Sequence, residues 1–404
     1  MKILDNNDIR LNSFINVADK LKEIESLFIN TNSRTYGLYT GNSGIILFLI
    51  YYSSISDKPY SDRIVELLEK SIKKINTGNI KYSFCDGLSG FSWLLEHLVT
   101  RNVLERDDIR ILDDFDEYLC KKGLSLLNND HFDFIHEAFG IAYYFLQRIH
   151  KKQSLVFLND FIDIIYKKSH FKSTNGSCFL KVLDVVKGIK HINFGLAHGL
   201  PSFIVFFSKT TKLGINKQKS IELINGYINF LLEHKFNSIN SLSLFPNSDK
   251  DSERYKPSRL AWCYGDLGIS TSIFQAASTL NRKDLEQTAL DIILHSAKRL
   301  NLEENFVFDA GICHGTAGIA HIYNRLYRNT QKVELKLASN YWIEQTLKMS
   351  FFEDGFAGYK AWNGYKIGWK KEIGLLEGVS GIGLALISAV SDIEPAWDEC
   401  LLLS

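Results

Sequence analysis

The sequence predicts an all-α fold built from repeated pairs of helices. A Gly-x-x-Gly motif followed by Ile or Phe recurs along the chain, and each copy leads into an apolar run of helical length. Amphipathic segments with helical spacing lie between the copies. The 404 residues include only five prolines, and few stretches show the alternating pattern of a strand. Together these observations favour helices throughout.

The motif can be aligned in seven copies. Two of them, EAFGI from residue 137 and GLPSF from residue 199, lack one glycine each. The other copies keep both glycines and begin at residues 41, 87, 265, 315 and 378. Neighbouring copies start about 46 to 66 residues apart, within or a little beyond the usual range of repeat architectures. Tight turns and close helix approach are sufficient to explain the glycines themselves.

Each repeat is predicted to pair an amphipathic outer helix with an apolar inner helix. The segment SDRIVELLEKSIKKI, residues 61–75, is typical of an outer helix, with Ser61 and Asp62 as N-caps. Its predicted apolar face carries Ile64, Val65, Leu68, Ile72 and Ile75. The predicted inner helices include residues 141–149, 269–277 and 319–327. Such pairs stack because none can bury its apolar face alone, and either an open solenoid or a closed ring would satisfy this need.

Composition and charge narrow the functional classes. The chain is 45% hydrophobic and 23% charged, with a formal net charge of +1 and no long run of either sign. Nothing in this pattern favours nucleic acid or an anionic membrane surface as a partner. The most apolar run, residues 44–52, is too short to span a bilayer, and six dispersed cysteines do not resemble a secreted disulfide framework. We therefore expect a cytoplasmic protein with reduced thiols.

Reactive side chains concentrate in the two positions before each motif copy, which we call the slot. Equivalent positions of a repeat protein occupy equivalent places in space, so the slots should converge at one end of the helices. In chain order the slots hold Tyr39–Thr40, Cys85–Asp86, Ile135–His136, Ala197–His198, Cys263–Tyr264, Cys313–His314 and Leu376–Glu377.

Slots 5 and 6 together offer two thiols and one imidazole. Cys263 lies in slot 5, and Cys313 and His314 fill slot 6. This set suits zinc with a fourth position left open for water or substrate, as in catalytic sites. The alternative for any cysteine is a small buried hydrophobe, and reduced thiols disfavour a disulfide between Cys263 and Cys313. Cys85 lies three repeats from slot 5 and is left out of the ligand set, and we interpret the remaining cysteines as structural: Cys120, Cys178 and Cys400.

Slots 3 and 4 offer candidates for acid–base chemistry. His198 fills slot 4, and Asp133 lies just before slot 3, which also holds His136. A histidine can donate or accept a proton at neutral pH. Arg259 lies four residues before Cys263, where its charge could favour an anionic intermediate. A surface ion pair is the alternative for Arg259, and the spacing leaves both interpretations open.

Four segments carry a resemblance to a known family. NFGLAHG, RLAWCYGDLGIS, ICHGTAGI and LLEGVSGI occur in this order, and WCYG followed about fifty residues later by CHG is highly specific. With these residues the chain resembles the lanthionine synthetase C-like family, in particular the stand-alone cyclases of class I lanthipeptide biosynthesis. The resemblance covers about residues 37–390, nearly the whole chain.

The resemblance implies a fold, a cofactor and an activity. The implied fold is a double-layered α/α toroid with inner and outer rings of seven helices each. We expect a single domain over residues 1–404, with a loop or small extension at about 236–258 that contacts the peptide. The implied cofactor is Zn2+, held by Cys263, Cys313 and His314. The implied activity adds cysteine thiols of a precursor peptide to dehydroalanine or dehydrobutyrine, which forms lanthionine or methyllanthionine thioethers.

The resemblance also implies catalytic roles and partners. Its catalytic histidine, aspartate and arginine fall on His198, Asp133 and Arg259. His198 would protonate the α-carbon of the enolate, with Asp133 positioning it or assisting thiol deprotonation. Arg259 would stabilise the enolate or orient Asp133. The implied partners are the dehydrated precursor peptide and, from the same pathway, a dehydratase and an exporter, which could hold a cytoplasmic enzyme at the inner membrane.

Two departures from the motif bear on these roles. Copy 4 reads Pro201–Ser202 where a second glycine is usual, so the loop that carries His198 could lie differently. Copy 3 reads HEAFG, which places His136 as an extra titratable group near Asp133.

Other functions are also compatible with such a toroid. A glycosidase needs two acidic residues that flank the scissile bond, but the acidic slot residues Asp86, Glu137 and Glu377 are scattered over three copies. A zinc prenyltransferase would also activate a peptide thiol, but no residue pattern indicates an isoprenoid pocket. A non-catalytic toroid that binds zinc, thiols or peptides is the main alternative. The acid–base candidates, taken together, argue against it.

Overall fold

The computed structural model describes residues 11–78, 80–184, 188–236, 241–252 and 256–404. Helices dominate these residues, as predicted. The α-helices are α1 (Leu11–Asn30), α2 (Asn42–Ser53), α3 (Ser61–Ile75), α4 (Leu88–Thr100), α5 (Leu112–Asn128), α6 (Ala138–Phe145), α7 (Lys152–Lys168), α8 (Leu200–Lys212), α9 (Lys217–Glu233), α10 (Asp249–Ser252), α11 (Asp266–Leu280), α12 (Lys283–Ser296), α13 (Thr316–Thr330), α14 (Val333–Lys348) and α15 (Val379–Val390). Short 3-10 helices cover Arg106–Ile109, Leu146–Arg148 and Ala396–Leu401.

The described residues group into two compact units. The first takes its residues from 1–81, 85–87 and 297–398. Its inner helices lie side by side, with α15 between α13 and α2, so the seventh repeat packs on the first. The helices α14, α3 and α1 pair with α13, α2 and α15 respectively. This unit therefore contains three helix pairs, each with its inner helix starting at a motif copy.

The second unit takes its residues from 82–84, 88–296 and 399–404. Its inner helices α4, α6, α8 and α11 pack against one another in chain order. The helices α5, α7, α9 and α12 pack on them as partners. Four further helix pairs result, so the described residues of the two units supply the seven pairs that the motif alignment predicts. The expectation of one domain over residues 1–404 stays a prediction.

Burial separates inner from outer helices. Every residue of α2 except the last is buried, as expected of an inner helix. The helix α3 begins at Ser61 as predicted, but its N-cap is Tyr60 and no side chain caps it, so the assignment of Ser61 and Asp62 as caps was wrong. Val65 was wrongly placed on the buried face, because it lies beside the apolar stripe and is 48% exposed. The residues that α3 buries are Ile64, Leu67, Leu68, Ser71 and Ile75.

Short antiparallel hairpins interrupt the helices and were not predicted. In the described residues they pair β1 (His170–Phe171) with β2 (Cys178–Phe179), β3 (Val182–Asp184) with β4 (Ile189–His191), and β5 (Ala361–Trp362) with β6 (Trp369–Lys370). The register places Phe171 opposite Cys178, Leu183 opposite Lys190, and Trp362 opposite Trp369. Strands of two or three residues are too short to leave an alternating pattern in the sequence.

The segment 236–258 belongs, in its described part, to the second unit. Its residues 237–240 and 253–255 lie outside the described part of the chain. The backbone N–H groups of Leu244 and Phe245 donate to the buried carboxylate of Asp266 at 3.0 and 3.1 Å. Both side chains are buried, and one helical turn, α10, follows. The loop or small extension expected at 236–258 and its contact with a peptide both stay predictions.

Candidate active site

Backbone hydrogen bonds bring neighbouring slots together within the first unit. The N–H of Cys313 donates to the carbonyl of Leu376 at 2.9 Å, and the N–H of Leu376 donates to the carbonyl of Tyr39 at 3.1 Å. The N–H of Tyr39 in turn donates to the carbonyl of Cys85 at 2.8 Å. Slots 6, 7, 1 and 2 thus follow one another at the start of the inner helices. The predicted convergence of slots is present in this unit.

The same relation holds between slots 4 and 5 in the second unit. The N–H of Ala197 donates to the carbonyl of Cys263 at 3.4 Å, which sets the two loops side by side. This contact requires a glycine nearby, because a Cβ at Gly195 would lie 2.5 Å from the same Cys263 carbonyl. His198, the next residue after Ala197, is thereby brought to the neighbourhood of Cys263.

Cys263, Cys313 and His314 form a cluster with the character of a metal site. Each offers one ligand atom, and the three atoms lie within 4.8 Å of one another. Zinc bonds of about 2.0 to 2.3 Å in a tetrahedron would need only a modest contraction of this spacing. Two sulfurs and one imidazole nitrogen are donors that zinc prefers, and they leave a fourth position open. The residues therefore fit a catalytic zinc ion.

The other cysteines show the contrast between structural and functional thiols. All six cysteines, each within the described residues, are in the thiol form. Burial raises the pKa of Cys178 to about 12. Burial, with a contribution from the nearby Asp116 carboxylate, raises the pKa of Cys120 to about 12. Thiols with such pKa values are neutral at physiological pH, which agrees with the structural role predicted for both.

Asp309 supports the loop that carries Cys313 and His314. It was not predicted from the sequence as a site residue. Its buried carboxylate accepts hydrogen bonds from the N–H of Gly311 at 3.0 Å and of Trp362 at 2.8 Å. Oδ2 of the same carboxylate lies 3.6 Å from Nε2 of His314. A carboxylate behind a ligating histidine fixes the ring orientation in many metal sites. The spacing of Asp309 in FDAGICHG was the available signal, because Asn193 has the same place in NFGLAHG.

His198 and Asp133 form a close pair. Nδ1 of His198 lies 2.5 Å from Oδ2 of Asp133, and the two side chains are 27% and 16% exposed. Burial alone would lower the pKa of His198, but the neighbouring Asp133 carboxylate raises it above its ordinary value of 6.5. Burial would likewise raise the pKa of Asp133, but the charge and hydrogen bond of His198 hold it below 3.8. The structure thus places the predicted acid, His198, beside Asp133, the residue predicted to position it or to assist thiol deprotonation.

The backbone around slot 3 holds Asp133 in place. Oδ1 of Asp133 accepts the N–H of His136 at 2.8 Å, while the N–H of Asp133 donates to Oε2 of Glu137 at 3.0 Å. Oε1 of Glu137 lies 2.6 Å from Nδ1 of His131. Glu137 occupies the position where most copies have their first glycine. In copy 3 this position therefore carries a carboxylate that accepts a hydrogen bond from the backbone of Asp133. From the sequence, Glu137 was a candidate only as an acid of a glycosidase.

Two aromatic rings lie close to His198. The ring of His136 is stacked at 6.1 Å and 26°, and the ring of Tyr264 is tilted at 5.9 Å and 35°. The hydroxyl of Tyr264 accepts a hydrogen bond from Nδ2 of Asn193 at 3.0 Å. Tyr264 was not predicted as a site residue, although its place in slot 5 was a usable signal. The exposed His136 is the extra titratable group that copy 3 was expected to add.

Copy 4 keeps its loop geometry despite the missing second glycine. Ser202 occupies that position, and its hydroxyl donates to the carbonyl of Gly199 at 2.7 Å. Pro201 lies in the first turn of α8, where no backbone donor is needed. A Cβ at Gly199 would lie 1.9 Å from the carbonyl oxygen of Asn193, so this glycine is required. The departure does not displace His198 from Asp133.

Arg259 is half-buried near the start of α11. Among the described residues its guanidinium has neither an ion pair nor a hydrogen bond. The surface ion pair that the sequence left open is therefore not observed in this part of the chain. The backbone N–H of His136 and the carboxylate of Glu137 contact Asp133, and both predicted roles of Arg259 stay predictions.

Fold and site together define an all-α repeat protein with a candidate Cys2His metal centre. The model of the family described as lanthionine synthetase C-like protein matches residues 32–402. This chain belongs to that family.

The chain is similar to several solved structures. A structure named nisin cyclase superimposes with a TM-score of 0.70 at 21% identity, and the match covers 98% of each chain. A sugar epimerase from a ruminal bacterium and a cellobiose 2-epimerase from Bacillus thermoamylovorans match with TM-scores of 0.44, at 9% and 10% identity. The epimerase matches cover 94% and 93% of this chain, and 100% and 97% of those chains. The nisin cyclase match confirms the predicted fold class, an all-α α/α toroid.

The described helices also bear on membrane association. None of them combines the length and the apolarity that a bilayer-spanning segment requires.

Proposed function

We propose that this protein is a zinc-dependent peptide cyclase of lanthipeptide biosynthesis. It would join cysteine thiols of a dehydrated precursor peptide to dehydroalanine or dehydrobutyrine residues of the same peptide. The observation that carries the proposal is the cluster of Cys263, Cys313 and His314 in a chain of this family. The fold shared with a nisin cyclase supports it.

The cluster would hold zinc through two thiolates and one imidazole, with Asp309 orienting the His314 ring. Bound zinc would lower the pKa of the substrate thiol, so that the peptide cysteine reacts as a thiolate nucleophile. Three protein ligands leave room for that one substrate group. A structural zinc site would instead have four protein ligands and no position for the substrate.

His198 would deliver the proton that completes the reaction. Its Nδ1 is engaged by Asp133, which leaves Nε2 as the nitrogen that can reach a substrate. When the peptide sulfur bonds to the β-carbon, the electron pair of the C=C bond moves toward the α-carbon and its carbonyl. Transfer of a proton from Nε2 of His198 to the α-carbon then restores neutrality. The thiol proton balances the proton that His198 gives up, so no oxidant, reductant or other co-reactant is required.

Asp133 and Arg259 would support this transfer electrostatically. The Asp133 carboxylate holds the pKa of His198 high and therefore keeps the imidazole protonated to a greater extent at neutral pH. Arg259 would stabilise the negative charge that develops on the enolate oxygen. A guanidinium with no partner among the described residues can do so without first breaking an ion pair.

The proposal extends to the setting of the enzyme. Its substrate would be supplied by a dehydratase that removes water from serine and threonine side chains of the precursor. The product would be passed to an exporter of the same pathway. We place the protein in the cytoplasm, at the inner membrane only through these partners.

Cyclisation of a synthetic peptide tests the proposal directly. The peptide carries one dehydroalanine and one cysteine, and ring formation leaves its mass unchanged, so the remaining thiol is measured by alkylation and mass spectrometry. The wild-type protein should consume the thiol much faster than buffer alone. His198→Asn should retain zinc but lose about 100- to 10,000-fold of the rate, the usual contribution of a general acid. His170→Asn, an exposed histidine of β1, is the matched control.

The same experiment separates the cyclase from the non-catalytic alternative. A binding protein would retain the peptide without consuming its thiol above the buffer rate, and His198→Asn would change nothing. Full activity in His198→Asn would rule out the proton transfer described above.

A further inference from the structure

An exposed row of aromatic side chains lies in the first unit, between α14 and α15. We call residues 351–371, which contain β5 and β6, the aromatic hairpin. Phe351, Tyr365 and Ile367 are 65%, 89% and 59% exposed, and Trp369 is 37% exposed. Clustered exposed apolar side chains mark interaction sites more often than isolated ones do.

The aromatic rings of this hairpin contact one another in sequence. The rings of Phe351 and Phe352 are tilted against each other at 4.4 Å, and the ring of Phe352 lies 4.8 Å from that of Trp369. Trp369 lies 5.2 Å from Trp362, which lies 5.5 Å from Tyr365. The rings therefore form one continuous surface that is already ordered before any ligand binds, which lowers the entropy cost of binding.

The hairpin also carries unpaired positive charge. Residues 351–371 contain four lysines and two acidic residues. Lys360 is paired with Asp354 at 2.7 Å. Within the described chain, Lys366, Lys370 and Lys371 form no ion pair, and all three are exposed. The surface is thus complementary to a ligand that combines apolar and acidic side chains.

A direct hydrogen bond links the aromatic hairpin to the loop of the candidate metal centre. The N–H of Trp362 donates to Oδ2 of Asp309 at 2.8 Å, and the same oxygen lies 3.6 Å from Nε2 of His314. The ring of Phe308 lies 6.0 Å from that of Trp362. A peptide held by the hairpin would therefore be tethered beside the loop that carries Cys313 and His314.

We propose that the aromatic hairpin binds an extended acidic segment of the peptide substrate, outside the residues that react. This inference rests on the proposed peptide cyclase function. In the described chain β5 and β6 pair only with each other, and the N–H of Trp362 on β5 is taken by Asp309, so the outer edge of β6 is the one that can take up a further strand. Apolar side chains of that segment pack on the rings, and its carboxylates face Lys366, Lys370 and Lys371. The site would thereby raise the local concentration of the reactive residues.

Fluorescence anisotropy with defined probes tests this binding. One labelled peptide alternates leucine with aspartate, and a second peptide of equal length replaces each aspartate by lysine. The wild-type protein should bind the acidic probe and should bind the lysine probe at least about tenfold more weakly. Added salt should weaken the acidic interaction.

Two surface variants examine the hairpin itself. Two double variants are made, Tyr365→Ser/Ile367→Ser and Lys366→Glu/Lys370→Glu. Each should lower the affinity for the acidic probe by at least about tenfold, the scale of an interface hot spot. Leu337→Ser, which removes a 63% exposed side chain from α14, is the matched control and should bind normally. Circular dichroism and zinc content show whether each variant folds. Equal binding by the wild type and both hairpin variants, or equal binding of the two probes, would overturn the proposal.

The proposed function is assayed separately, with wild-type protein and the short dehydroalanine peptide, which lacks an acidic segment. Consumption of its thiol together with no binding of the acidic probe would overturn the hairpin site and leave the cyclase intact. Binding of the acidic probe without thiol consumption would leave a peptide-binding surface and overturn the cyclase.

Discussion

Nδ1 of His198 and Oδ2 of Asp133 lie 2.5 Å apart, although the two residues are 65 positions apart in the chain. Each residue reaches this position from the start of an inner helix, and neighbouring inner helices α6 and α8 set their separation. The contact raises the pKa of the histidine and lowers that of the aspartate, after burial has acted in the opposite direction on each. The pair is consequently arranged to keep a proton on the imidazole.

The pH dependence of turnover should report this pair. His198 must carry a proton to donate it, so the rate should fall as pH rises through its pKa, which lies above 6.5. Asp133→Asn removes the charge that raises this pKa, so the alkaline limb should move to lower pH. The measurement is the pH–rate profile of both proteins with the dehydroalanine peptide. An unchanged limb in Asp133→Asn would contradict the assignment.

The stability of the protein should show the same coupling. The raised pKa of His198 stabilises the fold below about pH 6.5, and this contribution is lost as pH rises through the raised value. The lowered pKa of Asp133 stabilises the fold above about pH 4, and this contribution is lost as pH falls through the lowered value. The stability difference between wild type and Asp133→Asn should therefore be larger at pH 5.5 than at pH 9. Urea unfolding at the two pH values measures it, and a difference that grows toward pH 9 would contradict the sign.

The zinc content should depend on Cys263, Cys313 and His314, and not on a cysteine in another slot. Elemental mass spectrometry should find about one zinc per wild-type chain, and most of it should be lost in Cys313→Ala. Cys85→Ala removes a cysteine from slot 2, outside the cluster, and should keep its zinc. Equal metal content in the two variants would mean that the cluster is not the binding site.

Asp309→Asn should weaken zinc binding without removing a ligand. The substituted amide keeps one oxygen, so one of the two backbone donors loses its acceptor, and the side chain no longer presents a charge to His314. The expected loss of zinc affinity is about 10- to 100-fold, as is usual for groups that support a ligating histidine. Competition with a chromophoric chelator measures the affinity. Asp354→Asn is the control, because this carboxylate pairs with Lys360 at the surface.

A buried charge network in the second unit should dominate its stability. Arg148 is only 2% exposed and bonds Glu96 at 2.8 Å and Asp116 at 2.6 Å, both of which are also buried. Arg148→Met would leave the buried Asp116 without its cation and Glu96 with only the half-exposed Arg106, which should lower the free energy of unfolding by about 3 to 5 kcal/mol. Lys121→Met removes an ion pair with the fully exposed Glu117 and should lower the free energy of unfolding far less. Urea unfolding of the two variants compares these losses, and similar values would contradict the prediction.

Local patterns in the sequence were sufficient for the repeat architecture. The glycine motif marks the start of each inner helix because a side chain there would strike a neighbouring backbone; a Cβ at Gly318 would lie 1.9 Å from the carbonyl oxygen of Ile312. Cys263, Cys313 and His314 could be grouped from their slots alone, since equivalent repeat positions recur in space. The family assignment followed from short segments of the same kind and is confirmed.

Contacts between distant segments were decided only by the tertiary structure. Glu137 contacts Asp133 at 3.0 Å, and Asp309 lies 3.6 Å from His314. Residue spacing along the chain does not encode distances of this kind. The hairpins are too short to show a strand period, and their exposed aromatic rings look in sequence like core residues. Helical periodicity is a property of neighbouring residues and can therefore be recognised in the sequence. Side-chain hydrogen bonds depend on how separate helices pack, and that packing exists only in the folded protein.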